Sequence, residues 1–185
     1  MQLDAQVGLD LAERAKAICF LDIETTGLHG DYNSVLVVAI KPWGGKVILH
    51  SVTRPGDDKE VVEAASDVLE RYTIWVSYYG KMFDIPIIQT RRLLHGLPIL
   101  HKKHHIDLYF HLKSHIKTGR RSQGHLLNWL KLSEQKMSVS AEEWNRVLRD
   151  PEEGLKVMRR RCASDARGLE ALYKRTRHLI GEVTK

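Results

Sequence analysis

The sequence predicts an α/β fold in which a mixed five-stranded sheet is flanked by helices. Three observations carry that expectation. Short β-branched, apolar runs come first in direct succession, similar runs then alternate with amphipathic stretches, and the chain closes in segments of helical periodicity.

Residues 17–25 (AICFLDIET) are apolar and β-branched and stop at Thr26-Gly27, as a buried strand closing in a turn does. Residues 35–40 and 46–53 flank Pro42-Trp43-Gly44-Gly45 and read as an antiparallel hairpin, which makes the first strand central. Residues 58–72 set Val61, Val62, Ala65, Val68 and Leu69 at helical spacing, and residues 73–78 form a fourth strand reached by that crossover helix. Residues 84–95 are helical, with Asp84 near the N-cap, Pro86 tolerated in the first turn and Gly96 as the stop. A short fifth strand is expected over 104–110, and the polar, basic stretch 111–124 is an exposed loop or frayed helix. Helices over 126–132, 141–148 (behind Ser140 as N-cap) and 152–180 complete the chain. An antiparallel opening followed by crossovers gives a mixed sheet, and a ribonuclease H-like core fits this order. A doubly wound nucleotide-binding fold fits worse, because the glycine-rich turn after its first strand is missing.

At 185 residues, 43% hydrophobic and 28% charged, residues 1–185 are expected to form a single domain. Such a chain buries roughly 70% of its unfolded surface, so it needs no metal for stability and any metal would serve catalysis. The two cysteines, Cys19 and Cys162, have no zinc-binding spacing, which points to a reducing, intracellular (cytoplasmic) setting. The longest apolar run, 35–40, is far short of the roughly 20 residues a membrane-spanning helix requires. Residues 1–10 carry Asp4 and Asp10 and lack the pattern of a secretion leader.

Charge is unevenly spread. Residues 1–90 hold 8 Lys/Arg against 13 Asp/Glu and residues 91–185 hold 21 against 10, so the halves carry −5 and +11. A basic surface of that size attracts polyanions through phosphate contacts, with strongly salt-dependent affinity. Lys113, Lys117, Arg120, Arg121, Arg159, Arg160 and Arg161 are candidates for those contacts.

Asp22 and Glu24, two apart on the central strand, share one face of the sheet. Uncompensated, they would repel and at least one would take up a proton, whereas a divalent cation keeps both ionised. Oxygen-only ligands favour Mg²⁺ or Mn²⁺ over zinc. Taken singly, Asp84 reads as a helix cap and Asp165 as a surface acid paired to Arg161 one turn earlier. His111 and His115 have the i, i+4 spacing of a zinc pair without a recognisable third ligand, and Asp107 stands either near the cluster or at the start of a loop.

Asp22-Ile23-Glu24-Thr25-Thr26-Gly27-Leu28, then Phe83-Asp84, then Asp165 in a terminal helix resembles the DEDD superfamily of 3′–5′ exonucleases. The likeness covers about residues 17–178 and is greatest to the exonuclease domain of family B DNA polymerases and to stand-alone RNase H-like exonucleases. It implies that Asp22, Glu24 and Asp165 hold one metal, that Asp22 touches a second, and that Asp84 orders the site through water. The implied reaction is hydrolysis at a free 3′ end of nucleic acid, DNA before RNA, assisted by two ions of Mg²⁺ or Mn²⁺. Thr25, Thr26, Gly27, Leu28, Tyr79 and Phe83 would then bind the nucleic acid, and proofreading would call on a separate polymerase partner. Two positions depart from the pattern. Arg161 and Arg160 stand where the superfamily carries Tyr or His, and arginine, always protonated, cannot act as a base there. Tyr79 stands where Asn is common, and a tyrosine can stack on a base instead. The same departures define the alternative, a catalytically degenerate module that keeps the fold and binds nucleic acid.

Overall fold

The computed structural model describes residues 17–180, and residues 1–10, expected to lack a secretion leader, lie outside them. The sheet contains β1 (Ile18–Thr25), β2 (Val35–Pro42), β3 (Ile48–Ser51), β4 (Ile74–Ser77) and β5 (His104–Asp107), in the order β3-β2-β1-β4-β5. Strands β1, β2 and β3 pair antiparallel, while β4 runs parallel to both β1 and β5. The sheet is therefore mixed, with β1 at its centre as the alternation of apolar runs requires. The helices are α1 (Lys59–Leu69), α2 (Asp84–Leu94), α3 (Leu108–His115), α4 (Gln123–Trp129), α5 (Ala141–Arg149) and α6 (Pro151–Thr176), followed by a 3₁₀ turn over Arg177–Leu179. Among the described residues no helix is long and apolar enough to cross a membrane.

Apolar residues pack in two clusters, and α6 contributes to both. Leu155, Met158 and Cys162 from its first half join β2 and α1, and Leu169, Leu172 and Tyr173 from its second half join Ile18, Phe20, Val76 and Ile106. Ile18 and Phe20 alternate along β1 with residues of the other cluster, so Asp22 and Glu24 continue the Phe20 face beyond its apolar part. Asp165 stands on α6 one turn before Leu169 and comes down on that same stretch.

The fifth strand is shorter than expected over 104–110. It ends at Asp107, whose buried carboxylate accepts from the Tyr109 amide and caps α3, so Leu108 begins a helix and the basic stretch after it is half helical. Ser140 caps α5 in a full capping box with Glu143. Asp84 stands beside the N-cap, as expected. Phe83 is the N-cap of α2, and Asp84 is the first helical residue, with its side chain turned to β1.

Candidate metal centre

The site lies where β1 and β4 part. Their parallel pairing joins Ile18 to Ile74, Cys19 to Trp75 and Phe20 to Val76 and goes no further, so the later backbone of β1 lacks a strand partner on that side. The Ile23 amide is satisfied there by Asp84 Oδ1 at 3.1 Å. A cavity of about 520 Å³ opens at this point, lined by Asp22, Glu24, Thr25, Thr26, Gly27, Leu28, Tyr79, Phe83, Asp84, Trp144, Arg161 and Asp165, with Lys136 at its wall. It sits at the carboxyl ends of the parallel strands, where open α/β sheets bind ligands.

Asp22, Glu24 and Asp165 each present a carboxylate oxygen within 4.8 Å of the others, although Asp165 is 141 positions or more from either partner in sequence. Asp165 is 1% exposed, so it is no surface acid. Arg161 Nε lies 3.9 Å from Asp165 Oδ2 but 2.9 Å from Glu24 Oε1, and its guanidinium carbon is 5.2 Å from the centre of the Trp144 ring. The cation that does hold Asp165 is Lys136, with Nζ 2.7 Å from Oδ2. Two carboxylate oxygens, Asp22 Oδ2 and Asp165 Oδ1, are buried without a hydrogen-bond partner among the described residues. Orphaned buried anionic oxygens cost free energy unless a ligand meets them, and hard oxygen donors fit Mg²⁺ or Mn²⁺.

Electrostatics agrees with the geometry. Burial pushes the Asp22 carboxyl well above the usual carboxylate range, and the charges of Asp165, Glu24 and Asp84 add to this against Lys136. Burial also lifts Glu24 to about 7, opposed by Arg161, and lifts Asp84 to about 7, opposed by its backbone hydrogen bonds. Lys136 is drawn down by burial but held above its ordinary value by Asp165 and Asp22.

Close packing shapes the walls. A Cβ on Gly27 would stand 2.6 Å from the Asn33 side chain, and one on Gly80 would stand 2.4 Å from Ser77 Oγ and 3.0 Å from Asp84 Oδ2. Tyr79 takes φ +67°, and Asp107 fixes this turn by accepting from the Tyr79 and Lys81 amides at 2.8 and 2.9 Å. Tyr79 stacks on Phe110 with centroids 5.8 Å apart.

Of the residues singled out in sequence, Lys113, Lys117, Arg120 and Arg121 do not line this cavity. The Arg121 carbonyl accepts from the hydroxyl of Tyr78, a cavity residue, which anchors the basic segment to the rim. His115 Nδ1 is engaged by the His111 carbonyl at 2.7 Å. Lys136 and Trp144 were invisible to motif reasoning. Lys136 belongs to an irregular connection without periodicity, and Trp144 carries only the signal of an aromatic on an amphipathic helix.

Fold and acids together define a member of the ribonuclease H class of α/β proteins. A model of the RNase H superfamily matches residues 19–175, and the chain belongs to that superfamily. Among solved structures, the family B DNA polymerase from the hyperthermophilic archaeon Pyrobaculum calidifontis matches with a TM-score of 0.71 at 18% identity, over 86% of this chain and 24% of the polymerase. The chain thus spans about a quarter of that protein's length. No curated protein matches the chain.

Proposed function

We propose that this chain is a metal-dependent nuclease that hydrolyses phosphodiester bonds from the 3′ end of nucleic acid, DNA before RNA. The observation that carries this is the pair of orphaned oxygens, Asp22 Oδ2 and Asp165 Oδ1, on two acids that line the cavity and belong to the carboxylate cluster. Asp22, Glu24 and Asp165 would hold the cation. Bound there, Mg²⁺ or Mn²⁺ would supply Lewis-acid stabilisation of a scissile phosphate.

The chain's own groups do the rest. Asp84 ties the mouth of α2 to the Ile23 amide and leaves its second oxygen to order water. Thr25, Thr26, Gly27 and Leu28 form the turn beside the acids, and Leu28, 74% exposed, offers an apolar surface to a terminal base. Tyr79 and Phe83 line the same cavity, and Lys113, Lys117, Arg120 and Arg121, on the segment tied to Tyr78, would lead phosphates toward it. Arg161 neutralises Glu24 and cannot take a proton from water, so turnover is slow relative to an enzyme with Tyr or His there. The sequence pattern implies two ions, yet Lys136 and Arg161 already lie against the acids.

Arg161 is also the observation favouring the second reading, a degenerate nucleic-acid-binding module. One experiment separates the two. A 5′-labelled oligonucleotide should shorten in single-nucleotide steps with Mg²⁺ or Mn²⁺ and stay intact in EDTA. Equal degradation by Asp22→Ala overturns the enzymatic reading, and chelator-insensitive binding without any ladder supports the module.

A further inference from the structure

The cavity contains its own positive charge. Asp22, Glu24, Asp84 and Asp165 bring four negative charges when ionised, and Lys136 and Arg161 bring two positive charges at 2.7 and 2.9 Å from Asp165 and Glu24. The remainder is two negative charges. One divalent cation neutralises that, whereas two would leave the pocket with two positive charges in a poorly solvated place.

The oxygens available point the same way. Asp165 Oδ2 is taken by Lys136, Glu24 Oε1 by Arg161 and Asp84 Oδ1 by the Ile23 amide. Asp22 Oδ2 and Asp165 Oδ1 are the buried carboxylate oxygens without a partner among the described residues. They belong to the group of three acids, Asp22, Glu24 and Asp165, that lie close enough to share an ion. A second ion would sit against the Lys136 ammonium and the Arg161 guanidinium, whose charges oppose it.

Lys136 suits a permanent place there. Its side chain is 34% exposed, so the stem reaches in from the surface while Nζ meets an acid that is 2% exposed. Resting on the nuclease reading above, we infer that this chain binds one divalent cation rather than two, and that Lys136 together with Arg161 supplies from within the polypeptide the charge of the second. Lys136 is then a positioning residue that fixes ion number, and its replacement opens a second cation position.

The test is a Mn²⁺ titration of the full chain without nucleic acid, read by electron paramagnetic resonance of free Mn²⁺ and by calorimetry. Wild type should take up one Mn²⁺. Lys136→Met should admit a second, with affinity at least about tenfold above any residual second event in wild type. Lys136→Arg, which keeps the charge, should return to one. Two ions in wild type, none, or an unchanged single ion in Lys136→Met overturns the inference. If Lys136→Met loses its circular dichroism signature, Lys136→Gln is titrated instead against the same criteria. Failure of the one-ion protein to degrade an oligonucleotide removes the nuclease reading and leaves the ion count standing.

Discussion

Two groups of buried acids in this molecule behave in opposite ways. Asp58, at the mouth of α1, is 0% exposed and accepts from the Val35 amide at 2.8 Å, from Arg91 Nε and Nη2 at 2.8 and 2.7 Å, and lies 2.7 Å from His95 Nε2. Burial works against its charge, but those hydrogen bonds hold its carboxyl below the ordinary value. In the cavity, burial and mutual repulsion win, and two oxygens stay unpartnered. Burial alone therefore does not mark a functional acid. What marks it is burial without satisfaction, because only a ligand repays the desolvation of an unmatched carboxylate.

The contrast breaks most sharply under mutation. Asp165→Asn and Asp22→Asn should lower cleavage on the order of 1000-fold or more, since the cation stabilises the reacting phosphate by several kcal/mol. The chemical denaturation midpoint of Asp22→Asn should stay level or rise, because a repulsive charge has gone. Asp58→Ala should do the reverse. Leaving Arg91 buried and unpaired costs about 3–5 kcal/mol of stability, with cleavage per folded molecule near wild type. Loss of activity and stability together in Asp22→Asn would make the cavity acids structural, like Asp58.

A smaller effect separates the regions by pH. Glu24 and Asp84 rise from 4.5 and 3.8 to about 7, so the folded chain holds their protons more tightly than the unfolded chain. Their contribution is fully present below about 4 and is lost as pH climbs through about 7. Asp58 runs the other way, contributing above 3.8 and losing that contribution as pH falls. Thermal melts in EDTA should thus fall between pH 5 and about 8, and Mn²⁺ should restore the midpoint most at the upper end, where the carboxylates are ionised. A metal-free profile that rises over this interval would contradict the raised carboxyls.

How much of this was legible in sequence follows from how each residue is placed. Alternation along one strand puts Asp22 and Glu24 on one face without tertiary knowledge, and the apolar runs order the sheet. Asp84 and Asp165 became visible only through motif order, since their meeting with β1 spans 61 and 143 positions. Singly they read as a cap and a surface acid, and packing overrode both local preferences. Asp58 looked like the start of a helix, yet it makes no side-chain cap and serves Arg91 instead. The end of β5 is ambiguous in sequence because residues 104–110 suit a strand as well as a helix start, and the Asp107 cap decides. Lys136 had no signal, because its position depends on the route of an irregular connection between α4 and α5.

Asp107 belongs with Asp58, satisfied by three amides, but it shapes the wall of the unsatisfied site. The turn it holds forces Tyr79 to φ +67°, a conformation a bulky residue adopts at a cost of about 1–3 kcal/mol and Asn adopts more readily. Tyr79→Asn should therefore stabilise the fold by about 1 kcal/mol. It should also remove a ring that is 45% exposed beside the cavity, at a cost of about 1–3 kcal/mol in binding an oligonucleotide's terminal base. Denaturation midpoints together with the dissociation constant of a short single strand in Ca²⁺ check both signs. If Tyr79→Asn binds as tightly as wild type, the strain at this position serves packing against Phe110 alone, and the aromatic wall belongs to the structural half of the comparison.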